Sequence, residues 1–225
     1  MKFSGIQKTS LIDFPDRVAT VLFTPGCNLR CPYCQNWRIV VNSNPPSLSG
    51  ETVIQILEER KRYVDAVVIT GGEPTLQVDL SGFLKKLKQR GFVLKLDTNG
   101  FLPLILEECL PYVDYVALDI KTSLQKYEML GAKDTTEFVR SVKILKEGRV
   151  EYEFRATVVP GFVDKKDIHK MGEIVDGGRL FVFQQFIPGD TLDKAFNDVQ
   201  PYDAEVIAGF SEIMRRYVDE VILRT

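Results

Sequence analysis

Six short apolar runs recur along this chain, and each ends in a cluster of polar or small residues. They are Val18–Thr24, Ala66–Thr70, Val93–Thr98, Tyr115–Ile120, Glu151–Val159 and Leu180–Ile187. Near-continuous apolar runs of this length predict strands buried on both faces, as in a parallel sheet. Between them lie stretches with helical periodicity. Ser49–Arg62 begins with a Ser49 cap and sets Val53, Ile54, Leu57 and Val64 near one face. Leu80–Arg90 turns Leu80, Phe83, Leu84 and Leu87 inward and stops at Gly91. Phe101–Cys109, Thr135–Glu147, Lys165–Val175 and Tyr202–Tyr217 complete the series. Strand alternating with helix demands right-handed crossovers and a parallel sheet. Six such units are too few for a closed eight-stranded barrel, so the pattern predicts an α/β fold, either a partial barrel or a doubly wound sheet. One domain spanning 1–225 is expected. Pro45-Pro46, within Val41–Pro46, marks a surface loop.

Composition narrows the setting. The net charge of −2 gives no global basic field for nucleic acid. No apolar segment is long enough to span a membrane, and Met1–Asp16 is too polar for a signal peptide. Four cysteines in 225 residues do not make a disulfide scaffold. The expectation is a cytoplasmic protein with reduced thiols free to bind metal.

Active sites of parallel α/β folds collect at the C-terminal ends of the strands. The first run leads into Cys27, Cys31 and Cys34, and the second into Gly71-Gly72-Glu73-Pro74. The third and fourth end at Asp97-Thr98-Asn99-Gly100 and Asp119-Ile120-Lys121. The fifth carries Arg155, and the sixth leads into Pro188-Gly189-Asp190. In a parallel sheet all of these meet on one rim.

Three of the chain's cysteines fall within eight residues, spaced CxxxCxxC. A structural zinc site wants a fourth Cys or His. The only histidine, His169, lies far along the chain in a predicted helix and reads as solvated surface, and Cys109 reads as core. A redox pair of Cys31 and Cys34 would leave Cys27 idle. A four-iron cluster usually takes four cysteines. With three, one iron stays open to another molecule, and this arrangement suits the spacing best.

Cys27-x3-Cys31-x2-Cys34, with Tyr33 before the third cysteine, resembles the signature of the radical S-adenosylmethionine enzymes. Gly71-Gly72-Glu73-Pro74, Asp97-Thr98-Asn99-Gly100 and Asp119-Ile120-Lys121 resemble segments of the glycyl-radical-enzyme activases. The opening Gly5–Pro15 segment, GIQKTSLIDFP, is similar to that of the short activating proteins of anaerobic ribonucleoside-triphosphate reductase. The resemblance implies a partial (β/α)6 TIM-like barrel of parallel strands. It also implies a [4Fe-4S] cluster on Cys27, Cys31 and Cys34 whose open iron is chelated by S-adenosylmethionine. Reductive cleavage would give a 5′-deoxyadenosyl radical that abstracts hydrogen from a glycine of a partner, here anaerobic ribonucleoside-triphosphate reductase. A flavodoxin- or ferredoxin-type reductant would supply the electron. The cofactors carry this chemistry, so no protein base or nucleophile is required.

The same resemblance implies the cofactor contacts. Gly71 and Gly72 would let backbone approach the methionine moiety, and Glu73 would accept from its amino group or cap the next helix. Asp97 and Asp119 would shape an anionic pocket that takes a monovalent cation, or pair with Lys121. Lys121 would meet the carboxylate or ribose, and Arg155 would clamp a carboxylate or else face outward as a surface residue. Tyr33 and Gln35, with Asn36, would lie near the adenine. Some activases carry a His after their sixth strand. Gln184–Asp190 has none, which leaves Ile187 as the adenine contact and weighs against a pyruvate formate-lyase activase. Two other readings stand beside this one: a radical enzyme acting on a small molecule or nucleoside, and a non-catalytic zinc or electron-transfer protein.

Overall fold

The computed structural model describes residues 1–42 and 46–224, so the loop expected at Pro45-Pro46 falls partly outside the described residues. The chain runs β1 (Lys2–Phe3), β2 (Gly5–Phe14), β3 (Arg17–Thr24), α1 (Trp37–Val41), β4 (Leu48–Ser49), α2 (Gly50–Arg60) and β5 (Ala66–Gly71). It continues α3 (Leu80–Gln89), β6 (Val93–Thr98), α4 (Pro103–Cys109), β7 (Tyr115–Asp119), α5 (Thr136–Lys146) and β8 (Glu151–Val158). The last elements are α6 (Lys165–Val175), β9 (Gly178–Gln185), α7 (Ala204–Met214) and β10 (Val218–Arg224).

The six predicted runs are β3, β5, β6, β7, β8 and β9. They lie side by side in chain order and parallel, as right-handed crossovers require. Two strands of this sheet were not legible, nor were the two-residue strands β1 and β4, which pair with each other apart from it. β10 extends the parallel series beyond β9. Its sequence, VDEVILR, keeps acids exposed because an edge strand has only one neighbour to bury against. β2 pairs antiparallel with β3 at the opposite edge, with irregular register at Ser10. It is largely polar because most of one face meets water.

Local chemistry sets the helix ends. The Ser49 side chain accepts from Thr52 N at 3.1 Å and starts α2. Asp164 and Asp167 form a reciprocal capping box at α6. Leu80, Phe83, Leu84 and Leu87 of α3 are all buried, as their spacing predicts. The outward faces of the strands join the helices in one large core. The inward faces carry a smaller cluster of Phe14, Ala19, Val21, Ala66 and Val68, which fills the base of the interior near β3 and β5. Residues from β5 through β10 line a single cavity together with Ile12 and Asp13 of β2, so the sheet curls into a partial barrel. Cys109 is fully buried. His169 is half-buried instead of solvated, because its ring packs edge-on against Tyr217 with Nδ1 3.3 Å from the phenol oxygen. Among the described residues no helix is long and apolar enough to cross a membrane.

Candidate functional site

The cavity encloses about 800 Å³ at the C-terminal ends of the strands, and Cys27, Cys31 and Cys34 all line it. The loop that carries them, residues 25–36, has no helix or strand. Its order comes from backbone ties to four other parts of the chain. Gly26 N donates to Ile39 O, and Gly26 O accepts from Glu73 N at 2.8 Å. Arg30 N donates to Leu130 O at 2.7 Å. Leu192 N and Asp193 N donate to Cys34 O and Pro32 O, so the segment after β9 folds back over the cysteines. Gln35 reinforces that closure by donating from Nε2 to Ile187 O at 2.9 Å.

Burial pushes all three thiols up, and Lys121 only partly offsets this at Cys31 and Cys34. They become thiolates on binding metal, with release of protons. Among the described residues no three His, Cys, Asp or Glu side chains are gathered to hold a single ion. Three thiols that line one cavity suit a cluster, in which each thiolate takes a different iron. The donor set and the cavity therefore fit a cubane with one open corner.

The two glycines after β5 serve the protein before any ligand. A Cβ on Gly72 would lie 1.8 Å from Gly26 O, and one on Gly71 would lie 2.3 Å from Thr24 N. Gly71 also has φ +123°, outside the range of most side chains. Both residues allow the end of β5 to press against the cysteine loop. The Glu73 side chain is likewise occupied. It is 1% exposed and accepts from Thr75 N, Thr75 Oγ1, Thr98 Oγ1 and Asn99 N. Burial pushes its carboxyl up, and these bonds offset only part of the shift. It caps the short helix Pro74–Leu76 and staples β5 to β6.

Asp97 and Asp119 do not leave an anionic pocket. Asp97 accepts from Lys95 Nζ at 2.5 Å and from Arg155 at 3.3 Å. Asp119 accepts from Arg155 Nε at 2.8 Å and from Lys121 Nζ at 3.1 Å. Burial pushes the Asp119 carboxyl up, but Arg155 and Lys121 outweigh it and hold the group at about 2. Lys121 is displaced well upward: burial alone would lower it, and the Asp119 charge reverses that. Arg155 therefore bridges two strand-end acids from inside the barrel. Deeper down, fully buried Glu153 takes a fork from Arg224 at 2.7 and 3.1 Å. The network holds four cations, Lys95, Lys121, Arg155 and Arg224, against three carboxylates. Asp13 and Glu73 also line the cavity, so its wall as a whole is not positive, and Lys121 and Arg155 are the local cations that a ligand carboxylate could meet.

All the predicted site residues line this cavity. Tyr33 is the one whose ring is already engaged, edge-on to Phe162 at 5.2 Å and near Phe196. Ile187 is 68% exposed at the mouth. Several participants were not singled out from sequence. Asn99 Nδ2 reaches Asn28 Oδ1 at 2.7 Å and lies 3.7 Å from the Cys27 sulfur. Thr98 secures Glu73, and Lys95 secures Asp97. Lys95 precedes Asp97 by two residues on a strand, so same-face alternation was the available signal.

Comparison with known proteins agrees with this geometry. Residues 21–171 match the family model of the radical SAM superfamily. A Methanocaldococcus jannaschii protein assigned to the glycyl-radical enzyme activating enzymes is 34% identical over 99% of this chain and 95% of its own length. The pyruvate formate-lyase-activating enzyme of Clostridium pasteurianum is 29% identical over 91% of this chain and 92% of its own. In fold, a domain of pyruvate-formate lyase-activating enzyme from Bacteroides vulgatus superposes with a TM-score of 0.57 at 18% identity, over 71% of this chain and 98% of that one. The superfamily's cofactors are a [4Fe-4S] cluster and S-adenosylmethionine. By sequence match and by fold, the chain belongs to the radical SAM superfamily and, within it, to the glycyl-radical enzyme activating enzymes.

Proposed function

We propose that Cys27, Cys31 and Cys34 hold the cluster, that S-adenosylmethionine fills the adjoining cavity, and that the chain installs a glycyl radical on anaerobic ribonucleoside-triphosphate reductase. When bound, the reduced cluster and S-adenosylmethionine supply a 5′-deoxyadenosyl radical that removes hydrogen from the glycine. The protein's own residues bind, orient and exclude. Lys121 and Arg155 present positive charge to the cofactor carboxylate. The backbone at Gly71 and Gly72 lines the methionine side, while Glu73 keeps that backbone in place. Gln35 holds the segment at Ile187 over the adenine side, and Tyr33 packs beneath the loop. The observation that carries this reading is the meeting of three thiols with the cations Lys121 and Arg155 in one cavity. A monovalent cation has less support, because Asp97 and Asp119 already face Lys95, Lys121 and Arg155.

The choice of partner rests on the Gly5–Pro15 segment and the lack of a histidine in 184–190. The pyruvate formate-lyase activases among the relatives make that enzyme the second candidate. A flavodoxin- or ferredoxin-type protein would deliver the electron. The test is anaerobic reconstitution, reduction, and incubation with S-adenosylmethionine and each candidate in turn, read by electron paramagnetic resonance. A glycine-centred doublet on the reductase is expected. A doublet on pyruvate formate-lyase alone reassigns the partner. A colourless, iron-free preparation, or no 5′-deoxyadenosine under strong reduction, overturns the reading.

A further inference from the structure

One end of the cavity carries polar groups that the cofactor contacts leave unused. Thr157, Gln184 and Arg224 stand level on β8, β9 and β10, with Thr157 paired to Gln184 and Gln184 to Arg224. Level residues on parallel strands project from the same face, and all three line the cavity. They belong to the end of the sheet farthest in strand order from β3, which leads into the cysteines. Arg224 is fixed by its fork to Glu153. Among the described residues, the Thr157 hydroxyl and the Gln184 amide make no hydrogen bond within the chain. Both are half-buried.

The charge of this row narrows its ligand. Glu153 is 0% exposed and neutralises Arg224, while the other two groups are uncharged. A phosphate or carboxylate would find no free cation here. A peptide chain is neutral and offers an N–H and a C=O at each residue. A primary amide matches that pair with its own donor and acceptor, and the Arg224 N–H groups not spent on Glu153 add donors for carbonyls. Glycine has no side chain, so an enzyme acting on its Cα–H must read the flanking peptide units.

We propose that Thr157, Gln184 and Arg224 form a subsite for peptide main chain, which holds the peptide units on either side of the partner's glycine. The inference rests on the glycyl-radical activating reading above. It locates the substrate along β8–β10.

The test is a double-mutant cycle on the reconstituted enzyme with S-adenosylmethionine. The probe is a capped peptide copying the glycine loop of whichever partner gives the doublet, and its analogue N-methylated at the two amides flanking the glycine. N-methylation raises the KM of the wild type about tenfold, the worth of a lost pair of hydrogen bonds. Gln184→Ala raises the KM for the unmodified peptide by a similar factor and shows little further loss with the N-methylated one. Thr157→Val, nearly isosteric, gives a smaller KM effect in the same direction. An additive cycle overturns the subsite. So does an equal fall in peptide-free 5′-deoxyadenosine formation, which would place Gln184 at the cofactor. If the wild type yields no glycine-centred signal with any partner, the functional reading fails first and the subsite fails with it.

Discussion

The cysteine loop and the strand-end ion network line the same cavity, yet they are ordered by opposite means. Residues 25–36 have no regular structure and depend on a few backbone bonds to Ile39 of α1, to Glu73 just after β5, to Leu130 and to the segment after β9. The network of Lys95, Asp97, Asp119, Glu153, Arg155 and Arg224, with Lys121 just past β7, stands on strands whose positions are set by ladder bonds and by the core beneath. The loop is completed by what binds it. The network is organised before any ligand arrives, so its charges need little rearrangement to meet one. Substitutions in the loop should therefore remove function and spare the fold, and those in the network should harm the fold as well.

The largest expected effect tests the loop. Cys27→Ala, Cys31→Ala or Cys34→Ala each drops cofactor cleavage to background and removes the cluster's absorbance. Each shifts the melting midpoint of the apoprotein by no more than about 4 °C, the equivalent of roughly 1 kcal/mol at this size. Cys109→Ala reverses the pattern, with cleavage retained and a small loss of stability from its buried site. A cysteine variant that keeps cleavage breaks the comparison outright.

Arg155→Leu tests the network. Removing one partner of a buried ion pair costs about 3–5 kcal/mol. Lys95 and Lys121 still face the two acids, so the lower end, about 3 kcal/mol, is expected, along with impaired cofactor binding. Unchanged thermal stability would show that the network is solvated and not built into the fold. Gly72→Ala lies where the two regions meet. Its Cβ would collide with Gly26 O and force apart the Glu73 N–Gly26 O bond. Overpacking of this kind costs about 1–3 kcal/mol. Cluster loading should fall in step with stability, measured as iron per chain beside the melting curve. Normal loading at reduced stability would separate the loop from β5.

Legibility in the sequence follows the same division. The cysteines were readable because their ligand geometry is encoded within eight residues. The six central strands were readable because burial on both faces writes a continuous apolar run. β10 and β2 were not, since an edge strand keeps polar residues that mask the pattern. The strand-end residues were found, and the pairing of Asp119 with Lys121 stood among the readings, but the partners of Arg155 were not found. Arg155 meets Asp97 across 58 positions and Asp119 across 36. No local spacing announces such pairs, and so an anionic pocket stood beside the Lys121 pairing among the expectations. Gly71 and Gly72 had the right place and another reason: the constraint is the neighbouring backbone, which only the fold brings near.

The smallest expected effect concerns pH, and it separates the regions most finely. Asp119 lies at about 2 in the folded protein against an ordinary 3.8. A carboxyl depressed on folding adds stability at pH values above its unfolded value and loses it as pH falls through the folded one. The gap corresponds to about 2 kcal/mol, present at neutral pH and lost between roughly pH 4 and pH 2. Asp119→Asn should remove that part of the acid sensitivity and flatten the unfolding profile over this interval. The thiols behave in the opposite sense. Burial raises them, so they stay protonated in the apoprotein near neutral pH and contribute no comparable acid step. Their proton release appears only on metal binding, as iron uptake that strengthens with rising pH. Apoprotein unfolding followed from pH 6 to pH 2, for wild type and Asp119→Asn, tests the first half of this contrast. Identical profiles would mean that Arg155 and Lys121 do not hold Asp119 ionised, and the preorganised wall of the cavity would lose its electrostatic basis.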